Sequence, residues 1–238
     1  MRYDGRSADE MRKVKVTLGF TKFAEGSCLI EVGDTVVLCN ASVEDKVPPH
    51  VRSGGWVTAE YSMLPRANRE RSKRDVSKLK LSGRSAEIQR LIGRSLRCAV
   101  DLEALGERTI TVDCDVLQGD GGTRTASVTG GFIALALACR KLVDQGLIHR
   151  MPIRTYVAGV SAGIVRNEAM LDLCYDEDSK AMVDLNCIMT AEGDIIELQA
   201  TGEGRPFTVE EQRKLLALCR KGNAALTQMQ RRCIGNLE

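Results

Sequence analysis

The chain has 238 residues, a formal net charge of +2, 43% hydrophobic and 4% aromatic residues. This is enough apolar material for one large domain or two closely packed halves, with a core built from aliphatic side chains. No uninterrupted apolar run of about 18 residues occurs, so no membrane span is expected, and the charged opening MRYDGRSADEMRK lacks the apolar centre of a signal peptide. Nine cysteines, at 28, 39, 98, 114, 139, 174, 187, 219 and 233, form no CxxC pair, and most lie in apolar runs. They read as reduced, buried small hydrophobes rather than zinc ligands or disulfides, which fits a cytoplasmic protein.

The first elements read as strands. KVKVTLGF alternates, SCLIEVGDTVVLCNASV is two β-rich runs joined at Gly33-Asp34, and GGWVTAEYSML is a further strand. His50 follows Pro48-Pro49 in a loop, and His149 follows a helical run, so the two histidines offer little to a histidine-based general base. Residues 65–83 form a loop without apolar periodicity. Within 66–90 nine Lys/Arg stand against three Asp/Glu, leaving the rest of the chain with 25 basic and 29 acidic residues. Such clustering is an electrostatic footprint for a polyanion, although a solvated charged loop has the same composition.

A helix is predicted to start near Ser82–Ser85, with Ile88, Leu91, Ile92, Leu96 and Ala99 on one face and Arg90, Arg94 and Arg97 on another. ERTITVDCDVLQ alternates as a strand. An apolar helix of roughly Ala126–Asp144 follows, ending at Gly146. TYVAGVSAGIV and EAMLDLCYD are predicted strands around Arg166-Asn167. AMVDLNCIMTAEGDIIELQATGEG is a hairpin turning at Glu192-Gly193-Asp194, and Thr208 to Glu211 is the capping box of a C-terminal helix. Strands then helices, twice over, predict an α+β fold of two similar sheet-plus-helix halves packed as one domain over residues 1–238, although no repeat period is readable in the identities.

LQGDGGTRTASVTGG, Leu117 to Gly131, joins a strand to the apolar helix. Free N–H groups and the dipole of a helix start favour an anion there. Glycines allow close backbone approach, Arg124 adds a planar fork of donors, and Thr123, Thr125 and Ser127 add hydroxyls. Neither GxxxxGK[ST] nor GxGxxG occurs at this stretch. Further on, LDLCYDEDSKAMVDLN holds Asp172, Asp176, Glu177, Asp178 and Asp184. Asp172 and Asp184 fall in predicted strands among apolar neighbours, a setting that suits Mg²⁺, while Asp176 and Glu177 read as a surface acidic turn. A buried, unpaired Asp184 would be costly without a function. A phosphate cradle, a carboxylate pair and a basic segment together point to phosphoryl transfer on a nucleic acid.

Five blocks, AEGSCLIEVGDTVVLCNASVE, GGWVTAEYSMLPRA, GRSAEIQRLIGRSLR, LGERTITVDCDVLQGDGGTRTAS and YDEDSKAMVDLN, behind an opening DGRSADEMRKV, give the chain a nearly end-to-end likeness. It resembles the RNase PH family, the phosphorolytic 3′→5′ exoribonucleases of bacteria. The resemblance implies that Gly122, Thr123 and Arg124 bind inorganic phosphate with Arg84 as a second contact. It implies that Asp178 and Asp184 hold Mg²⁺ or assist the chemistry, and that Arg66, Arg69, Arg71 and Arg74 belong to an RNA-contacting loop. The implied reaction trims tRNA precursors and other RNA 3′ ends, releases nucleoside diphosphates, and runs backwards in excess diphosphate. The implied assembly is a homohexamer, a trimer of dimers. The chain departs from the family pattern at Phe23, where a histidine is common, at Arg52-Ser53-Gly54-Gly55-Trp56, where Gln-Gly-Gln-Gly-Trp is common, and at Met182-Val183, where Glu-Thr is frequent. Two other readings are a non-catalytic RNA-binding ring subunit, which has no need of all these site residues, and a hydrolytic nuclease, which releases monophosphates.

Overall fold

In the computed structural model, residues 2–74 and 82–237 are described, so part of the basic loop, residues 75–81, lies outside them. Strands β1 (Val14–Leu18), β2 (Gly26–Val32), β3 (Thr35–Glu44), β4 (Trp56–Met63) and β5 (Thr109–Gln118) form one sheet in the order β1-β2-β3-β5-β4. All neighbours are antiparallel except β4 and β5. A parallel pair needs a crossover, and helix α1 (Gly83–Cys98) lies within it, packed on β4, with the one-turn helix α2 (Leu102–Leu105) following. Ser82 caps α1 by accepting from the Ser85 N–H, as the sequence indicates. Gly33, at φ 56°, turns the β2–β3 hairpin.

Helix α3 (Thr123–Asp144) packs against β2, β3 and β5 on one side and against strand β6 (Val157–Val165) on the other. Strand β7 (Glu168–Leu171), the one-turn helix α4 (Tyr175–Asp178), β8 (Val183–Thr190) and β9 (Ile195–Thr201) follow. They complete a second, antiparallel sheet in the order β7-β6-β8-β9. Helix α5 (Val209–Ile234) packs on this sheet and carries the expected Thr208–Glu211 capping box. All nine residues of β6 are buried, because α3 and α5 both pack on it. Its continuous apolar run follows from that two-sided burial. By length and composition α3 could cross a membrane, but 78% of its apolar window is buried inside the protein, as in a core helix.

Close approach sets two details. A Cβ on Gly26 would stand 1.9 Å from the Ala134 carbonyl oxygen, so only glycine lets β2 meet α3 here. Arg166 and Asn167 both take left-handed φ, 52° and 64°, the conformation that a two-residue hairpin turn demands. All nine cysteines are free, and Cys98 alone is exposed. Two expectations shift. Helix α3 starts at Thr123 rather than Ala126, which makes Thr123, Arg124 and Thr125 its first turn. The strand read over EAMLDLCYD stops at Leu171, because Asp172 turns the chain at φ 52°.

Glu177 is not part of a surface acidic turn. It is 5% exposed and accepts hydrogen bonds from Arg2 Nε at 2.8 Å and Arg2 Nη2 at 2.7 Å. Arg2 Nη1 also donates to the Leu171 carbonyl at 2.7 Å, tying the N-terminal segment to the second sheet. Burial alone would raise the Glu177 pKa, but the Arg2 hydrogen bonds, the Cys174 N–H and the charge of Arg2 outweigh it and hold it below the usual value. A depressed carboxylate contributes stability above its unfolded pKa and loses it as pH falls through the folded one. Glu177→Gln is therefore expected to lower the melting temperature at neutral pH and to flatten its fall below about pH 5; a variant with the wild-type acid profile would show that this pair carries no linkage.

Candidate functional site

The site begins with the turn Gly119–Gly122 between β5 and α3. Gly121 and Gly122 both have left-handed φ, 75° and 65°, and a Cβ on Gly121 would lie 2.5 Å from the Leu173 carbonyl oxygen. The first backbone bond of α3 runs from the Ala126 N–H to the Gly122 carbonyl. The N–H groups of Thr123 to Thr125 thus have no intrahelical acceptor and carry the positive end of the helix dipole.

The turn is held from behind by Arg12, which is 7% exposed. Its Nη1 donates to the Asp120 carbonyl at 2.5 Å and its Nη2 to that of Gly121 at 3.4 Å. The same guanidinium grips Asp172, Nη2 to Oδ1 at 2.7 Å and Nε to Oδ2 at 3.0 Å, while the Arg12 N–H adds a bond to Oδ2 at 2.8 Å. Burial opposes the charge on Arg12, but Asp172 more than offsets it, and the Arg12 pKa is raised. Thr35 completes the brace: its hydroxyl donates to the Gly121 carbonyl at 2.7 Å and accepts from the Asp120 N–H at 2.9 Å. Asp172 is therefore a structural anchor 160 residues from its partner, not a member of a metal-binding carboxylate pair, and it does not line the cleft described next.

In front of the turn lies a cleft of about 910 Å³ whose walls include Arg84, Gly122, Thr123, Arg124, Asp178 and Asp184. Three elements deliver these groups: the first turn of α1 brings Arg84, the first turn of α3 brings Thr123 and Arg124, and the α4–β8 segment brings the carboxylates. Arg124 Nη1 donates to Gln199 Oε1 at 3.0 Å, with Glu87 3.8 Å away. Arg69 and Tyr175 line the rim, where the Arg69 guanidinium lies 5.3 Å over the Tyr175 ring and pairs with Asp176 at 3.0 Å. Arg66 donates to the Arg69 carbonyl. Arg66, Arg71 and Arg74 are exposed and stand outside the cleft lining.

Asp184 Oδ2 accepts from Asn186 Nδ2 at 3.0 Å, whereas Oδ1 is buried without a hydrogen-bond partner. Burial first, and then the charge of Asp178, push the Asp184 carboxyl up to about 6 against the pull of Arg124 and Asn186. Asp178 is exposed on the cleft wall, yet partial loss of water around its carboxyl raises its pKa, with Arg84, Arg124 and Arg12 opposing. An unsatisfied carboxylate oxygen beside a second carboxylate is what a divalent cation would neutralise. Among the described residues no group of three or more His, Cys, Asp or Glu could hold a metal. Two carboxylates match the donor chemistry of Mg²⁺, which takes one or two of them and completes its shell with water and phosphate oxygens.

Sequence reading missed Arg12, Thr35 and the buried Tyr61, whose hydroxyl meets Thr123. No local motif marks them, since each acts on a partner remote in the chain. The brace is testable. Asp172→Ala leaves a buried guanidinium unpaired, and chemical unfolding is expected to show a loss of about 3–5 kcal/mol; a loss under about 1 kcal/mol would show that the turn stands without it.

Comparison with known proteins places this architecture. Residues 10–141 match the 3′ exoribonuclease family model for domain 1 and residues 155–222 that for domain 2. The chain is similar to rice (Oryza sativa) Rrp46, at 16% identity and TM-score 0.80, covering 98% of this chain and 100% of that one. It is similar to a chain of the Archaeoglobus fulgidus exosome with RNA bound to the active site, at 25% identity and TM-score 0.82, covering 96% and 92%. It also resembles a chain of an archaeal exosome core, at 24% identity and TM-score 0.73, covering 99% and 91%. The solved structures share this fold, and the two family models cover both halves of the chain without singling out a bacterial branch. The chain belongs to the RNase PH family of 3′ exoribonucleases.

Proposed function

We propose that the chain is an active phosphorolytic 3′→5′ exoribonuclease that uses inorganic phosphate to trim tRNA precursors and other RNA, releasing nucleoside 5′-diphosphates. One observation carries this reading: an anion-binding helix start with Arg124, a second arginine at Arg84, and the carboxylates Asp178 and Asp184 share one cleft. A scaffold subunit needs no such set. The likeness to a chain of an exosome with RNA bound to the active site supports the substrate class.

In this reading Arg84, Arg124 and the first-turn N–H groups of α3 hold phosphate as a positioned nucleophile. A phosphate oxygen attacks the phosphorus of the last phosphodiester. The bond to the 3′ oxygen of the penultimate nucleotide breaks, that oxygen takes a proton, and the terminal nucleotide leaves as a diphosphate. The arginines stabilise charge on the transferring group without a covalent intermediate. Asp178 and Asp184 would hold Mg²⁺, which when bound supplies Lewis-acid neutralisation of the phosphoryl oxygens. One phosphate linkage replaces another, so excess diphosphate extends the 3′ end. Arg66, Arg69, Arg71 and Arg74 give the incoming strand backbone contacts that weaken with salt. A homohexamer, a trimer of dimers, is the proposed assembly.

The test follows product release from an RNA with extra 3′ nucleotides, in Mg²⁺, with and without phosphate. Diphosphates are expected only with phosphate, and Arg124→Ala is expected to lower their release at least about 100-fold while the melting temperature holds. Phosphate-dependent trimming retained in that variant overturns the role of Arg124. Monophosphates would make the chain a hydrolase, and RNA bound without any product would make it a scaffold.

A further inference from the structure

Tyr61 ends the buried face of β4, after Val57 and Ala59, and is 2% exposed. Its ring is core, but its hydroxyl stands 2.9 Å from Thr123 Oγ1, at the first residue of α3. Thr123 is 7% exposed and lines the cleft. The tyrosine thus reaches the phosphate cradle from inside the protein without lining the cleft itself.

The direction of that hydrogen bond follows from the polar groups available. A phenol has one proton, and a buried hydroxyl proton without an acceptor is costly. Among the described residues Thr123 is the one hydrogen-bond partner of the Tyr61 hydroxyl. If Thr123 donated, the phenol proton would be left buried and unpaired. If Tyr61 donates, its proton is satisfied and the Thr123 proton is free to turn to the cleft. Burial raises the Tyr61 pKa, outweighing its bond to Thr123 and the charges of Arg84 and Arg124, so the phenol stays protonated and remains a donor.

We propose that Tyr61 is a positioning residue for the phosphate subsite: by donating to Thr123 Oγ1 it commits the threonine hydroxyl to donate outward to an oxygen of inorganic phosphate. The inference rests on the proposed phosphorolytic reading and deepens it. Without Tyr61, the Thr123 hydroxyl is free to rotate and must be ordered each time phosphate binds, so the defect falls on phosphate rather than on RNA. A tyrosine that only fills the core predicts the opposite, since phenylalanine supplies the same ring.

The experiment compares wild type, Tyr61→Phe, Thr123→Val and the double variant by calorimetric titration with inorganic phosphate alone and by steady-state phosphorolysis. Tyr61→Phe is expected to weaken phosphate binding and raise the phosphate KM by about 3- to 10-fold. The kcat at saturating phosphate and the KM for RNA should stay near wild type, and the melting temperature within a few degrees. The double variant should bind phosphate no worse than Thr123→Val, because the tyrosine acts through the threonine. Unchanged phosphate binding in Tyr61→Phe, or losses that simply multiply in the double variant, overturns the inference. The two readings fail separately: a wild type that neither binds phosphate nor releases diphosphate refutes the phosphorolytic function, whereas a phosphorolytic wild type with an indifferent Tyr61→Phe refutes only the role of Tyr61.

Discussion

A buried guanidinium organises the cleft. Arg12 lies just before β1, Asp172 just after β7, and the glycine turn between β5 and α3. Arg12 is the side chain that contacts both of the other segments, beside the bonds of Arg2 and Arg6 to the Leu171–Asp172 corner and of the Tyr175 N–H to Asp120. The Arg12 side chain satisfies itself on the Asp172 carboxylate and on the carbonyls of Asp120 and Gly121. A charge in this position costs several kcal/mol unless each of its donors is used. The arrangement is therefore nearly all-or-none: the turn is drawn back onto Arg12, and the start of α3 is left facing the cleft. The same contact ties the end of β7 in the second sheet to the turn, beside the packing of α3 on β6. Thr35 repeats the logic with neutral groups, and Tyr61 reaches the same helix start from β4.

Helix α3 is the other half of this design. Packing on β2, β3 and β5 and also on β6 makes it the common wall of both sheets. Glycine is required where the walls are closest, as at Gly26 and Gly130, where an added Cβ would stand 2.8 Å from Cys39 Sγ. A helix so enclosed has little freedom to shift, so its first turn is a rigid place for a binding site.

Much of this was legible along the chain. Alternation in β1 to β5, the Gly33-Asp34 and Arg166-Asn167 turns, the Ser82 cap and the Thr208–Glu211 capping box are local signals, and the structure follows them. The start of α3 was harder to read, because Thr, Arg and Thr in its first turn are not apolar and lie outside the periodic stretch. Thr123, Arg124 and Asp184 stand out from the residue pattern, Arg84 and Asp178 only through the family resemblance, and the fold brings all five to one cleft. What could not be read was pairing at long range. Asp172 and Asp184 look alike in sequence, a carboxylate among apolar residues; only the position of Arg12 separates an anchored carboxylate from one with an unsatisfied oxygen. Glu177 reads as surface in the sequence for the same reason, since its partner Arg2 is 175 residues away.

In the proposed reaction the turn braced by Arg12 holds inorganic phosphate as the attacking group. The most direct measurement supplies radiolabelled inorganic phosphate with unlabelled RNA and Mg²⁺, and locates the label in the released nucleotide. Each released nucleoside diphosphate is expected to carry the label in its β-phosphate, with the α-phosphate coming from the RNA. Release of unlabelled monophosphates at the same rate with or without phosphate would contradict it.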